Sequence, residues 1–124
     1  AISQVKIARI TDGTSQVLLI GEKHIPVGEY DTATASGNDQ GWDLGFDLDT
    51  NRWTKHSPLG DSEKFPSYFS GDDAWSVFGS AHPAGCQFVL CDGSVHTITY
   101  DIDRETFSRL GSIADGEILS AEAF

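Results

Sequence analysis

The rhythm of apolar and polar positions changes several times along the chain. In Val5-Lys6-Ile7-Ala8-Arg9-Ile10, Val5 and Ile7 fall on one face of a predicted strand. Thr11-Asp12-Gly13-Thr14 follows as a turn, because glycine enters positive φ without a Cβ clash. Ser15 to Glu22 reads as a second strand, whose unbroken centre Val17-Leu18-Leu19-Ile20 suits burial on both faces. A short helix capped by Thr14 or Ser15 is the competing reading. From Gly41 to Asp49, apolar residues alternate with aspartate or glycine, the pattern of a half-exposed strand, with Asp49-Thr50-Asn51 as its turn. Trp75 to Phe78 suggests another short strand.

The C-terminal third is more regular. Cys86 to Cys91 is strand-like, Asp92-Gly93 is a hairpin turn, and Ser94 to Tyr100 is rich in β-branched residues. A two-residue loop pairs Cys91 with Ser94 and Leu90 with Val95. Asp101 or Asp103 then caps a short helix, Arg104 to Leu110, with Phe107 and Leu110 inward and Gly111 as C-cap. Asp115-Gly116 is a third such turn. These elements predict an α+β fold: a β-rich antiparallel sheet with hairpins and a short C-terminal helix.

Length and composition refine that picture. The 124 residues are expected to form a single domain over 1–124, and 39% hydrophobic against 22% charged residues supply one core. The net charge is -11, which disfavours nucleic acid and anionic membrane as partners. The charge is uneven: +1 over residues 1–27, -7 over 28–73 and -5 over 74–124. The middle also holds six of the thirteen glycines, so residues 28–74 read as an acidic, loop-rich insert. The longest aliphatic run, Val17 to Ile20, is far too short to span a bilayer, and no signal peptide is visible. Because the chain begins at Ala1 and lacks methionine, it is expected to be a processed product or a segment of something longer.

Three blocks carry a resemblance. His82-Pro83-Ala84-Gly85 leads, after nine residues from His82, to Asp92-Gly93-Ser94-Val95, an H-x9-DG pattern. Ile10-Thr11-Asp12-Gly13-Thr14-Ser15 runs through to Gly21-Glu22-Lys23, and Phe107-Ser108-Arg109-Leu110 to Gly116-Glu117-Ile118-Leu119-Ser120. In this order the blocks resemble the DUF1559 family, whose members carry a prepilin-type N-terminal segment; residues 28–74 contribute nothing to the likeness. The resemblance implies a pseudopilin-like protein with a globular head, here lacking its N-terminal helix. It implies export to the periplasm or cell surface, with membrane tethering only through that helix. A solute-binding label attached to the family hints at ligand binding.

Each candidate site has a functional and a structural reading. His82 and Asp92, with Glu22, have the chemistry of metal ligands or an acid–base pair. The structural reading, which we adopt, has Asp92 and Gly93 form the turn and His82 hold the loop 79–85 against it. Cys86 and Cys91 are candidates for a disulfide, and export favours oxidation. On a straight strand their Cα atoms stand about 16 Å apart, beyond the limit of about 7 Å, so a bridge needs a bend. Zinc on His82, Cys86 and Cys91 lacks an evident fourth ligand. Asp47, Asp49 and Asn51 alternate like the start of a calcium loop, but Arg52 stands where an EF-hand needs glycine. A looser calcium site over Asp47, Asp49, Asn51, Asp72 and Asp73 is set against a solvated acidic face. Trp42, Trp53, Trp75 and Tyr68 either line a sugar-binding surface or staple the insert to the sheet.

No nucleophile elbow or phosphate loop occurs. The expected function is therefore non-enzymatic: a structural or assembly role in the envelope, with other pilin-like or envelope proteins as partners and no obligatory cofactor. The alternative is an exported module binding a ligand or calcium. A metal-dependent enzyme centred on His82 and Asp92 ranks third.

Overall fold

The computed structural model describes residues 5–41, 43, 45–117 and 119, with the side chain of Asp72 outside that set. Six regular elements follow one another: β1 (Leu18–Gly21), β2 (Leu59–Gly60), β3 (Gly79–Ser80), β4 (Cys86–Leu90), β5 (Val95–Ile98) and α1 (Arg104–Leu110). Strands β1, β4 and β5 form an antiparallel sheet in that order, and β2 and β3 form a second, parallel pair. The architecture is α+β and β-rich, with one short C-terminal helix.

β4 is central because its sequence alternates. Cys86, Phe88 and Leu90 point into the core while Gln87 faces out. Phe107 and Leu110 on α1 are buried against that face, with Ile98 from β5. Three phenylalanine rings meet there: Phe78, Phe88 and Phe107 have centroids 5.1 to 6.0 Å apart in edge-to-face arrangements. Asp103 caps α1 by accepting the Thr106 amide at 2.9 Å, and Gly111 closes it with a right-handed backbone.

The β4–β5 hairpin differs from expectation by one residue. Its register pairs Val89 with Val95 and Phe88 with His96. The Gly93 amide donates to the Leu90 carbonyl, and the Leu90 amide to the Ser94 carbonyl, both at 2.9 Å. The loop is therefore Cys91-Asp92-Gly93, a tight turn followed by a glycine at φ +87°. Counting Asp-Gly as a complete two-residue loop missed that extra residue.

Three expected strands are corrected. Residues 5–10 form a 3-10 turn at Ile7–Arg9, with Val5 and Ile7 exposed, since no neighbouring strand receives them among the described residues. Another 3-10 turn at Thr14–Gln16 precedes β1, so both readings of residues 15–22 hold in part. The Val17–Ile20 run is not buried on both faces: the register shifts between Leu18 and Ile20, leaving Leu19 61% and Ile20 64% exposed. Residues 45–49 adopt bends and turns and none of residues 41, 43 and 45–49 is in a strand; Trp42 and Leu44 lie outside the described residues, as does Ile118. The extended segment predicted at Trp75–Phe78 is displaced to Phe78–Ser80, where Phe78 bridges Lys23 and β3 joins β2. Gly79 sits at that junction because a Cβ would strike the Leu59 carbonyl and the Cβ of His24.

Residues 12–16 and 115–119 are joined by side-chain bonds to backbone. The Asp12 carboxylate accepts the amides of Asp115 and Gly116 at 2.8 and 3.1 Å. The Gln16 amide exchanges two hydrogen bonds with the Leu119 backbone.

Candidate functional site: the His82 loop and its surroundings

The loop between β3 and β4 starts with Ser80, whose Oγ accepts the His82 amide at 2.9 Å. Tyr100, just past β5, holds the rest. Its hydroxyl lies 2.5 Å from the His82 carbonyl, 3.1 Å from that of Ser80 and 3.2 Å from that of Gly85. One proton serves one acceptor at a time, so the hydroxyl sits at the focus of three carbonyls. Burial raises the Tyr100 pKa and keeps it a donor.

His82 faces Glu22. Its Nε2 lies 3.3 Å from Glu22 Oε1, and the pair is open to solvent at 57% and 37% side-chain exposure. Glu22 Oε2 accepts the Gln87 amide at 2.7 Å and so ties the end of β1 to β4. Beneath them lies Cys86, whose thiol is directed at the carbonyls of Gly79 and Glu22. Burial, then the Glu22 charge, pushes that thiol up to about 12.

Beside the loop is a hollow of about 200 Å³ lined by Tyr30, Asp61, Glu63, Ser80, His82 and Tyr100. Asp61 is buried, and both its oxygens are occupied: Oδ1 accepts the Ile25 amide at 3.1 Å and Oδ2 the Tyr30 hydroxyl at 2.8 Å. That bond to the carboxylate raises the Tyr30 pKa.

Asp92 stands elsewhere. The straight run of β4 separates it from His82, so the two halves of the H-x9-DG pattern lie at opposite ends of a strand about 16 Å long. His82 therefore does not pin its loop to the Asp92-Gly93 turn; Tyr100 does the holding. Asp92 Oδ1 accepts the Ser94 hydroxyl at 2.6 Å and the Ser94 amide at 2.9 Å, and these bonds lower its pKa. Ser94 Oγ is also 3.0 Å from His96 Nε2. The serine lies between acid and imidazole, whereas a nucleophile relay places the imidazole in the middle. Cys86, at the start of β4, and Cys91, in the loop just past its end, are both free thiols.

Two of the calcium candidates, Asp49 and Asp73, face cations of the chain itself. Asp49 is buried; its Oδ1 accepts the Gln40 amide at 3.1 Å and its Oδ2 has no hydrogen-bond partner. Lys23 Nζ donates to the carbonyls of Gly37 and Asp49 at 3.1 and 3.2 Å. The Arg52 guanidinium reaches the carbonyls of Gly37, Leu48 and Asn51. Burial lowers both cation pKa values, and Asp49 opposes that shift. The Asp47 carboxylate accepts the Asp49 amide and its carbonyl accepts the Asn51 side chain. Asp73 pairs with Lys55 at 2.6 Å, which lowers its pKa, and lies 3.6 Å from His56 Nε2. Among the described residues, no three His, Cys, Asp or Glu side chains converge as metal ligands.

Of the large aromatics, Trp75 packs edge-on against Phe65 and Tyr68 against Phe69, while Trp53 and Tyr68 remain exposed. His24 and His56 join this cluster, with ring centroids 4.9 Å from Phe65 and 4.3 Å from Phe69. Their ring nitrogens are buried without a hydrogen bond of normal geometry. Sequence reasoning missed both histidines and Tyr100, since none sits in a recognisable pattern.

A search of curated proteins and of solved structures finds no match. A family model described as "Protein of unknown function (DUF1559)" matches residues 2–105, which includes His82 and the Asp92-Gly93 turn and stops before the block at 107–120. The chain belongs to the DUF1559 family.

Proposed function

We propose that this chain is the exported head of a pseudopilin-like envelope protein with a structural or assembly role and no catalytic activity. One observation carries the reading: the polar side chains around the H-x9-DG pattern are engaged with backbone. Asp92 closes its own turn, Glu22 holds the Gln87 amide, Asp61 holds the Ile25 amide, and Tyr100 gathers three carbonyls. Groups so engaged stabilise loops, which supports a structural role for them. Partners are other pilin-like or envelope proteins, and the head reaches the membrane through a helix outside this chain.

The test is photo-crosslinking in the native cell, with the crosslinker at exposed Val95 of the full-length protein. Adducts with envelope or pilin-like proteins, recovered in the membrane fraction, support the reading. A protein recovered without adducts and carrying a bound solute or metal overturns it. That outcome favours the second reading, an exported binding module, which is supported by the family's solute-binding label and by the hollows beside β1.

A further inference from the structure

β1 has a strand partner on one side only. β4 pairs with it, and among the described residues no strand lies along the far side of Leu18–Ile20. Beyond Gly21 that side is closed, because the Gly79 amide donates to the Glu22 carbonyl at 3.0 Å and Phe78 bridges Lys23. Two hollows of about 440 and 320 Å³ flank the open stretch and share Leu19, Ile20, Arg52 and Phe78, so they form one groove along the strand. Leu18 and Trp53 extend its apolar wall.

The charge of this groove is opposite to that of the molecule. Lys23, Arg52, Lys55 and Arg104 line it, half of the chain's eight cations. Two carboxylates answer them: Asp49 beside Lys23 and Arg52, and Asp73 paired with Lys55. The balance is two positive charges on a chain of net charge -11. Arg104 is exposed and makes no hydrogen bond or ion pair among the described residues. An edge strand with exposed apolar side chains is a template for pairing unless charge or a covering element blocks it. Here the cations flank the open edge and attract anionic chains to it.

We propose that the groove beside β1 receives an extended acidic peptide segment of a partner protein. The segment adds as a strand to Leu18–Ile20 and sets a carboxylate against Arg104, the groove cation that no carboxylate among the described residues answers. Main-chain pairing along an edge supplies affinity, while flanking charges select the partner and speed its encounter. The open stretch of β1 beside the shared lining residues suits a strand of about four residues, about 13 Å long. This inference stands independently of the envelope-assembly reading.

The probe is a fluorescein-labelled, capped six-residue peptide alternating Glu and Val, followed by anisotropy at low salt. It should bind, the version with Lys in place of Glu should not, and added salt should weaken binding. Arg104→Glu and Leu19→Asp, both at exposed positions, should each raise Kd about tenfold, as should N-methylation of the peptide backbone. Circular dichroism checks that the variants stay folded; the N-methylated peptide needs no variant at all. Three results overturn the proposal: no binding at millimolar peptide, equal binding of the Lys peptide, or full affinity after N-methylation. Competition by free glutarate together with indifference to N-methylation would make the groove a small-carboxylate site instead.

Discussion

Residues 86–110 and residues 28–74 are ordered by different forces. The first region buries Phe88, Ile98, Phe107 and Leu110 against one another, and polar bonds, from the local turn and cap to the longer reach of Tyr100, fasten the edges of that apolar core. The second buries Asp49 and Asp61 and depends on Lys23, Arg52 and a cluster of aromatic and imidazole rings. Area-driven burial is non-directional and shared among many neighbours. A guanidinium holding three carbonyls is directional and fails as one unit. The insert should therefore open without the sheet, whereas disruption of the sheet should take the insert with it.

The largest effect is expected at the phenylalanine trio. Phe107→Ala should cost about 3–5 kcal/mol, as a fully buried aromatic does when its volume is left empty. A urea melt should show insert and sheet lost in one transition; a loss below about 1 kcal/mol would contradict the core as described. Arg52→Met should cost less, about 1–3 kcal/mol, because the carbonyls of Leu48 and Asn51 lose their donor while that of Gly37 keeps Lys23. Its signature is local: amide exchange should accelerate across 37–51 while β4 stays protected. Equal acceleration in β4 would erase the distinction between the two regions.

Tyr100→Phe comes next, at about 1–2 kcal/mol, since it removes the donor on which loop 80–85 converges. The fourth test is pH. Burial lowers the His24 pKa below its ordinary 6.5, against the opposing influence of Asp61, Glu63 and the Gly60 carbonyl. The unfolded chain therefore protonates first as pH falls, so this stability is present above 6.5 and is lost as pH drops through the lowered folded value. Trp75 fluorescence should report the insert loosening on acidification, and His24→Phe should flatten that response. Smallest is His82→Ala, within about 0.5 kcal/mol by thermal melt, because its contact with Glu22 is solvent-exposed. A loss there matching Tyr100→Phe would restore the anchoring role first assigned to His82.

The two regions also differ in how far they can be read from sequence. In the C-terminal region the β4 alternation, the Asp103 cap, and inward Phe107 and Leu110 are all local patterns, and all are present. Only the hairpin register is off, because a three-residue loop ending in glycine carries the same Asp-Gly signature as a two-residue one. The insert offered Asp47, Asp49 and Asn51 as an alternating oxygen set, but what meets the carbonyls of Asp49 and Asn51 is Lys23 and Arg52, one of them far away in the chain. Likewise the H-x9-DG pattern marked a structured place without naming Tyr100, whose hydroxyl acts across fifteen to twenty residues. Long-range polar contacts leave no period in a sequence. Apolar runs mislead in a related way: Val17–Ile20 looks like an interior strand, and nothing within it reveals that it lies on an edge.

Cys86 has a practical consequence as a molecular timer. With its pKa pushed up to about 12, it presents almost no thiolate at neutral pH, and its sulfur is enclosed between the carbonyls of Gly79 and Glu22. Cys91, in the turn, is only half-buried. An alkylating dye should therefore mark Cys91 in the folded protein and reach Cys86 only when residues 22 and 79 part from β4. With dye concentrated enough for alkylation to outpace reclosing, the rate at which the second label accumulates counts those partings, so the chain carries its own gauge of how often its central strand is uncovered.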